Sequence, residues 1–222
     1  MTGLDRLMER INQGREYRNV QVFEARSGEG GDQKTVEGYA TTFGNEYELY
    51  NDGNYCILES VDSNAFDGCD MSDCIMQYNH EGRVFAAVRN GTLVVQPDEH
   101  GLACRADLSG TELGRQVWEE IRGGYTRTMS MGFRVGKHDR RVEEDEETGK
   151  ITVHRRILRF SKLFDVSAVS IPANDATEIS VRCLGEGVIK EIAEERRRRS
   201  TRNTNLMNRL KILGGRANEI HS

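Results

Sequence analysis

Thr126-Arg127-Thr128-Met129-Ser130-Met131-Gly132-Phe133-Arg134-Val135 is the stretch whose pattern decides the fold. Strand alternation puts Met129, Met131 and Phe133 on one face and Thr128, Ser130 and Gly132 on the other. The first face can fill a core. The second sets a small hydroxyl beside a residue without a side chain, which leaves room for a peptide to approach. Immediately upstream, Ser109-Gly110-Thr111-Glu112 opens a helix with Leu113, Val117, Trp118 and Ile121 on one face, and Gly123-Gly124 ends it. Downstream, the spacing predicts strands over residues 151–160, 163–171 and 178–182, with the acidic segment 143–149 as a solvated hairpin tip.

Further out, Leu4, Leu7, Met8 and Ile11 fall at helical spacing and Gly14 stops them. Residues 17–26 read as one strand closed by a Gly-rich turn at 27–31, and 36–43 as a second strand. The polar stretch 44–54 reads as loop, and 63–66 as the start of a short helix. Short apolar runs follow at 56–61, 74–78, 84–88, 93–96 and 102–108. Many short strands around one well-formed helix predict an α+β protein, a small and mainly antiparallel β-barrel flanked by helices. After Gly185, Val188, Ile189, Ile192 and Ala193 suggest a helix leading into Arg196-Arg197-Arg198-Arg199, followed by a weakly ordered basic tail. The expected organisation is an N-terminal helical arm over 1–16, a main domain over 17–185 and the tail over 186–222.

Charge supports that division. The net charge is -5 over 222 residues. From Lys190 onward there are nine basic and four acidic residues, leaving 22 basic and 32 acidic in the body. The arginine run suits nucleic acid or an acidic protein surface, and equally a solvated helix end. No apolar run approaches the roughly 20 residues of a membrane span, and no N-terminal stretch has the pattern of a secretory signal. The five cysteines, Cys56, Cys69, Cys74, Cys104 and Cys183, suit reduced thiols in a cytosolic protein. Cys69 and Cys74 lack a second pair or a nearby histidine, so no zinc site is expected.

Two more segments carry groups with chemistry. In Gln77-Tyr78-Asn79-His80-Glu81-Gly82, a histidine closes an apolar strand; it reads as an accessible base or as a bystander. In Leu163-Phe164-Asp165-Val166-Ser167-Ala168, an acid stands in the middle of an apolar strand. Either it lies on an exposed sheet face, or it has a partner, and orienting a histidine would supply one. Ser130 alone is an ordinary strand serine unless a base activates it.

The order of these segments resembles one family. Gly38-Tyr39-Ala40 with Phe43, then Tyr78-Asn79-His80, then Asp98-Glu99-His100-Gly101-Leu102, then Ser130-Met131-Gly132-Phe133, then Asp165-Val166-Ser167 with Pro172-Ala173-Asn174, resembles the prohead proteases of tailed bacteriophages over residues 36–182. The resemblance implies a serine endopeptidase with a herpesvirus-assemblin-like fold, with Ser130 as nucleophile, His80 as general base and Asp165 as third group. Assemblin-type enzymes use a second histidine in that third role, which leaves His100, His138 and His154 as substitutes. It further implies cleavage of the scaffolding segment of the major capsid protein, self-cleavage, and a location inside the procapsid in the host cytoplasm. No metal or organic cofactor is implied, no membrane is involved, and self-association stays open. The alternative is a non-catalytic assembly protein that keeps the barrel and binds the shell.

Overall fold

The computed structural model of the chain describes residues 9, 11, 13–21, 23–27, 34–169 and 175–219. In chain order its elements are β1 (Glu16–Gln21), β2 (Phe23–Ser27), β3 (Lys34–Thr42), β4 (Tyr47–Asn51), β5 (Tyr55–Val61), β6 (Ile75–Tyr78), β7 (Glu81–Ala87), β8 (Leu93–Pro97), β9 (Gly101–Asp107), α1 (Glu112–Arg122), β10 (Thr128–Glu144), β11 (Ile151–Val169) and α2 (Asp175–Glu219). The first eight residues of the N-terminal arm, with Leu4, Leu7 and Met8, lie outside the described residues, as do most of the turn at 27–31 and Pro172-Ala173-Asn174.

The strands form two sheets. One has the order β1-β10-β11-β5-β4, with β6 also paired to β11 and β7 to β6; the other is the antiparallel set β2-β3-β9-β8. At its centre, β10 and β11 pair as a long antiparallel hairpin. The first half of β11 takes β5 as a parallel neighbour, and the half around Asp165 takes β6. Met129, Met131, Phe133, Val166 and Ala168 from the first sheet share one core cluster with Val36, Ala40, Leu93, Leu102 and Ala106 from the second. These two facing sheets, and not one closed barrel, are what the described residues show.

Helix α1 starts where the sequence predicts: the Thr111 hydroxyl accepts from the Gly114 N–H at 2.9 Å. Its buried face is Gly114, Val117, Trp118 and Ile121, while Leu113 is exposed. A side chain at 114 would run into the Leu108 carbonyl, so the first turn packs by backbone instead. Trp118 anchors the helix by donating its indole N–H to the Thr35 carbonyl at 3.1 Å.

Several expectations are corrected. Residues 17–26 are two strands in different sheets, β1 on β10 and β2 on β3. The polar stretch 44–54 contains β4, which pairs with β5 because its alternating Tyr47 and Leu49 suit a half-buried edge. Residues 63–66 form turns. The two strands expected over 151–160 and 163–171 are one continuous strand as far as the described residues run, Ile151–Val169. Residues 178–182 are helical: a five-residue alternation is outweighed by the i, i+4 repeat Ser180, Leu184, Val188 and Ile192. The basic tail, expected to be weakly ordered, continues that helix to Glu219. The chain divides into two compact units, Met1–Arg182 and Cys183–Ser222. No described helix is long and apolar enough to cross a membrane.

Candidate active site

The register of the central hairpin sets the site. Ser130 on β10 lies opposite Ser167 on β11, and Gly132 lies opposite Asp165. Parallel pairing of β6 brings Tyr78 level with Ala168, and the Asn79 N–H donates to the Ala168 carbonyl at 2.9 Å. Strands β6 and β7 are then joined by two residues, Asn79 and His80, at φ 51° and 61°. Two consecutive positive φ values mark the tight hairpin turn that matches strand twist, and outside glycine such values favour Asn and His. This turn swings His80 back over β11.

There His80 Nε2 lies 2.7 Å from Ser130 Oγ, and its Nδ1 lies 2.5 Å from Asp165 Oδ2. The Ser167 hydroxyl donates to the same Oδ2 at 2.7 Å. Asp165 Oδ1 is bound by the guanidinium of Arg15. Ser130, His80 and Asp165 are 0%, 1% and 0% exposed. Burial alone would raise the Asp165 pKa. The charge and hydrogen bond of His80, the Arg15 cation and the Ser167 hydroxyl together outweigh it and hold the group well below the usual carboxylate range. An ionised carboxylate only accepts hydrogen bonds, so His80 Nδ1 carries a proton; in the neutral ring Nε2 then presents its lone pair to the Ser130 hydroxyl, and in the charged ring the carboxylate faces a cation.

All three residues singled out from the sequence are therefore hydrogen-bonded in one chain. The alternative histidines lie elsewhere. His154 binds Glu46 at 2.9 Å, and His100 sits edge-on to Tyr39. His138 lies on β10 opposite Ile157, toward the hairpin tip.

Sequence reasoning missed four groups here. Arg15 and Tyr17 come from the N-terminal edge, and the Tyr17 ring meets His80 edge-on with centroids 4.6 Å apart. Ser167 appears in the sequence reading only within Asp165-Val166-Ser167, with no role of its own. Gly132 does not open a peptide path: a Cβ there would fall 2.9 Å from two Arg15 nitrogens and nearer still to Asp165 Oδ1. Its missing side chain makes room for the ion pair.

Below β1 lies a second polar cluster. Arg18 binds Glu59 through Nε at 2.6 Å and Glu16 at 2.6 Å, and Arg155 binds Glu59 at 2.5 Å and Glu16 at 2.8 Å. The Tyr47 hydroxyl donates to Glu59 at 2.6 Å. Burial opposes ionisation of Glu59, but Arg18 and Arg155 prevail and bring its pKa down to about 2. Two cations and two anions close this cluster at neutrality, clamping β1 and β5 to β11. Among the described residues, no group of three or more His, Cys, Asp or Glu is placed to hold a metal ion.

Compared with known proteins, residues 21–190 match the family described as Caudovirus prohead serine protease. Arg15 and Tyr17 precede the matched stretch. The solved structure of the bacteriophage T4 capsid assembly protease is 13% identical, covering 69% of this chain and 98% of that one, at a TM-score of 0.34. No curated protein matches the chain.

Proposed function

We propose that this chain, which belongs to the caudovirus prohead serine protease family, is a serine endopeptidase in which Ser130 is the nucleophile, His80 the general base and Asp165 the group that orients it. One observation carries the reading: the unbroken hydrogen-bond chain from Ser130 Oγ through the His80 ring to Asp165. As Ser130 Oγ attacks a peptide carbonyl, its proton passes to His80 Nε2. The imidazolium that forms is stabilised by Asp165 and then returns the proton to the leaving amine. The acyl group left on Ser130 is transferred to water by the same base. A buried ionised carboxylate is costly in a core that could be apolar. Holding an imidazole in one tautomer gives that cost a purpose.

The substrate proposed is the scaffolding segment of the major capsid protein, together with the protease itself, inside the procapsid in the host cytoplasm. The protease domain proposed is 17–185, with 186–222 as a separate basic tail. An assemblin-like barrel is proposed as the parent architecture, supported by the single core that the two sheets share.

The complete burial of Ser130 favours a second reading, a non-catalytic assembly protein that keeps this architecture. Co-expression with the capsid protein encoded alongside it, followed by mass spectrometry of the products, separates the two. Ser130→Ala and His80→Ala should each abolish processing, and the double variant should be no worse than either, because the pair acts as a unit. Full processing by Ser130→Ala would leave the non-catalytic reading.

A further inference from the structure

Asp165 has two oxygens, and the site uses only one of them on His80. A carboxylate free to turn about its last side-chain bond would offer either oxygen at varying angles. Here Oδ2 takes His80 and Ser167, and Oδ1 takes Arg15. The Arg15 guanidinium is itself fixed, with its carbon 4.5 Å from the Phe164 ring centroid and 5.2 Å from that of Tyr17. A cation over aromatic faces is favourable, and a guanidinium can make such contacts while its planar fork binds a carboxylate. Gly132 completes the slot by having no side chain to fill it.

Arg15 directly precedes β1, and β1 is firmly seated. Glu16 and Arg18 lock it into the buried ionic cluster, and the Tyr17 N–H donates to Ser180 Oγ at 3.2 Å. Position 15 is thus set by the same strand that pairs with the serine strand, Tyr17 opposite Gly132 and Asn19 opposite Ser130.

We propose that Arg15 is a positioning residue of this enzyme, which pins the Asp165 carboxylate so that one oxygen faces His80 and the site works only with the N-terminal edge in place. The proposal rests on the catalytic reading above. A cation on Asp165 competes with the imidazolium for the same negative charge, so Arg15 does not strengthen the base. Its contribution is orientation and an ionised carboxylate in a fully buried position. Outer partners that orient metal-binding imidazoles are worth about 10- to 100-fold, and a loss of the same order is expected here, where Arg15 acts one step from the imidazole.

The test uses the full chain and two independent readouts. One is proton NMR of the His80 Nδ1–H, which a hydrogen bond to a fixed carboxylate moves to low field. The other is the rate of capsid-protein processing. Arg15→Ala should lose or broaden the low-field signal and slow processing about 10- to 100-fold at temperatures where the variant is still folded, although its Tm falls because a buried carboxylate loses a partner. Arg15→Lys should restore part of each, keeping the charge without the planar fork. The Arg15 side chain is 14% exposed, so added guanidinium can enter the vacated slot and should restore both signal and rate in Arg15→Ala. Should Arg15→Ala fail to fold, Arg15→Lys with and without guanidinium carries the same comparison. An unchanged signal and rate in Arg15→Ala would overturn the role of Arg15. A lost signal in Arg15→Ala, with processing still intact in Ser130→Ala, would overturn the catalytic reading and leave Arg15 a structural ion pair.

Discussion

Replacing Gly132 by alanine tests the site by adding a single methyl group. Its φ lies outside the left-handed region, so space alone decides the outcome. The new Cβ would sit 2.9 Å from Arg15 Nε and from a terminal nitrogen of the same guanidinium, and closer to Asp165 Oδ1. Ordinary contact needs about 3.5 Å or more, so the ion pair must move by roughly half an ångström to one ångström. Neither partner is a loose surface end: Asp165 is tied to His80 and Ser167, and Arg15 stacks on Phe164. Overpacking of this kind costs about 1–3 kcal/mol, offset in part by the stiffer unfolded chain that alanine gives. At about 2–4 °C per kcal/mol for a chain of this size, Tm should fall by about 2–12 °C in calorimetry. Processing should fall more steeply, by about 100-fold, since a displacement near 1 Å in a catalytic array is worth that much. Gly136→Ala on the same strand is the control. Its Cβ would meet Ser161 Cβ at 3.3 Å and Arg159 Nε at 3.4 Å, and it should change little. Wild-type Tm and processing in Gly132→Ala would refute the account of the slot.

The remaining predictions concern the clamp and the tail. Glu59→Gln leaves two buried cations, Arg18 and Arg155, sharing the single carboxylate of Glu16, and should cost about 3–5 kcal/mol, read as a fall in Tm. Glu59 is held at about 2 against an ordinary 4.5, so its contribution is complete above about pH 4.5 and is lost as pH falls toward 2. Wild-type Tm should therefore drop more steeply over that window than the Tm of Glu59→Gln, and parallel curves would contradict the clamp. Truncation after Gly187 removes most of the second compact unit, including the exposed run Arg196–Arg199, and should leave the first unit folded and able to process. Its incorporation into procapsids should fall, and the full chain's incorporation should weaken with added salt. Normal incorporation of the truncated chain would show that the basic tail does not carry the protein into the procapsid.

Much of this was legible before any coordinates. Period-two alternation places the core face of β10, and the Ser-Gly-Thr-Glu start with Gly-Gly stop bounds α1 to within a few residues. What the sequence hid has a common physical form. Arg15, Glu16, Arg18, Glu59 and Arg155 all read as surface charges, because a charge is buried only where its partner is buried too, and the partners lie up to 150 positions apart. Local patterning carries no information about such pairings. The break between β1 and β2 was hidden for a related reason. Both halves alternate well, and only their partners, β10 and β3, distinguish them.

His80 shows the same limit at one residue. As a strand-end histidine it could face anywhere, and the deciding fact is the backbone. Asn79 and His80 both take left-handed φ, which costs energy for any residue with a side chain. A hairpin selected for stability alone would place Asn-Gly there, at less strain. Keeping a histidine at φ 61° buys a ring aimed between Ser130 and Asp165, two groups that β10 and β11 have already set on one face. The strain at position 80, the missing side chain at 132 and the buried charge at 165 are each unfavourable alone. Together they fit one arrangement, a neutral imidazole held between a hydroxyl and an ionised carboxylate, and nothing about packing requires all three.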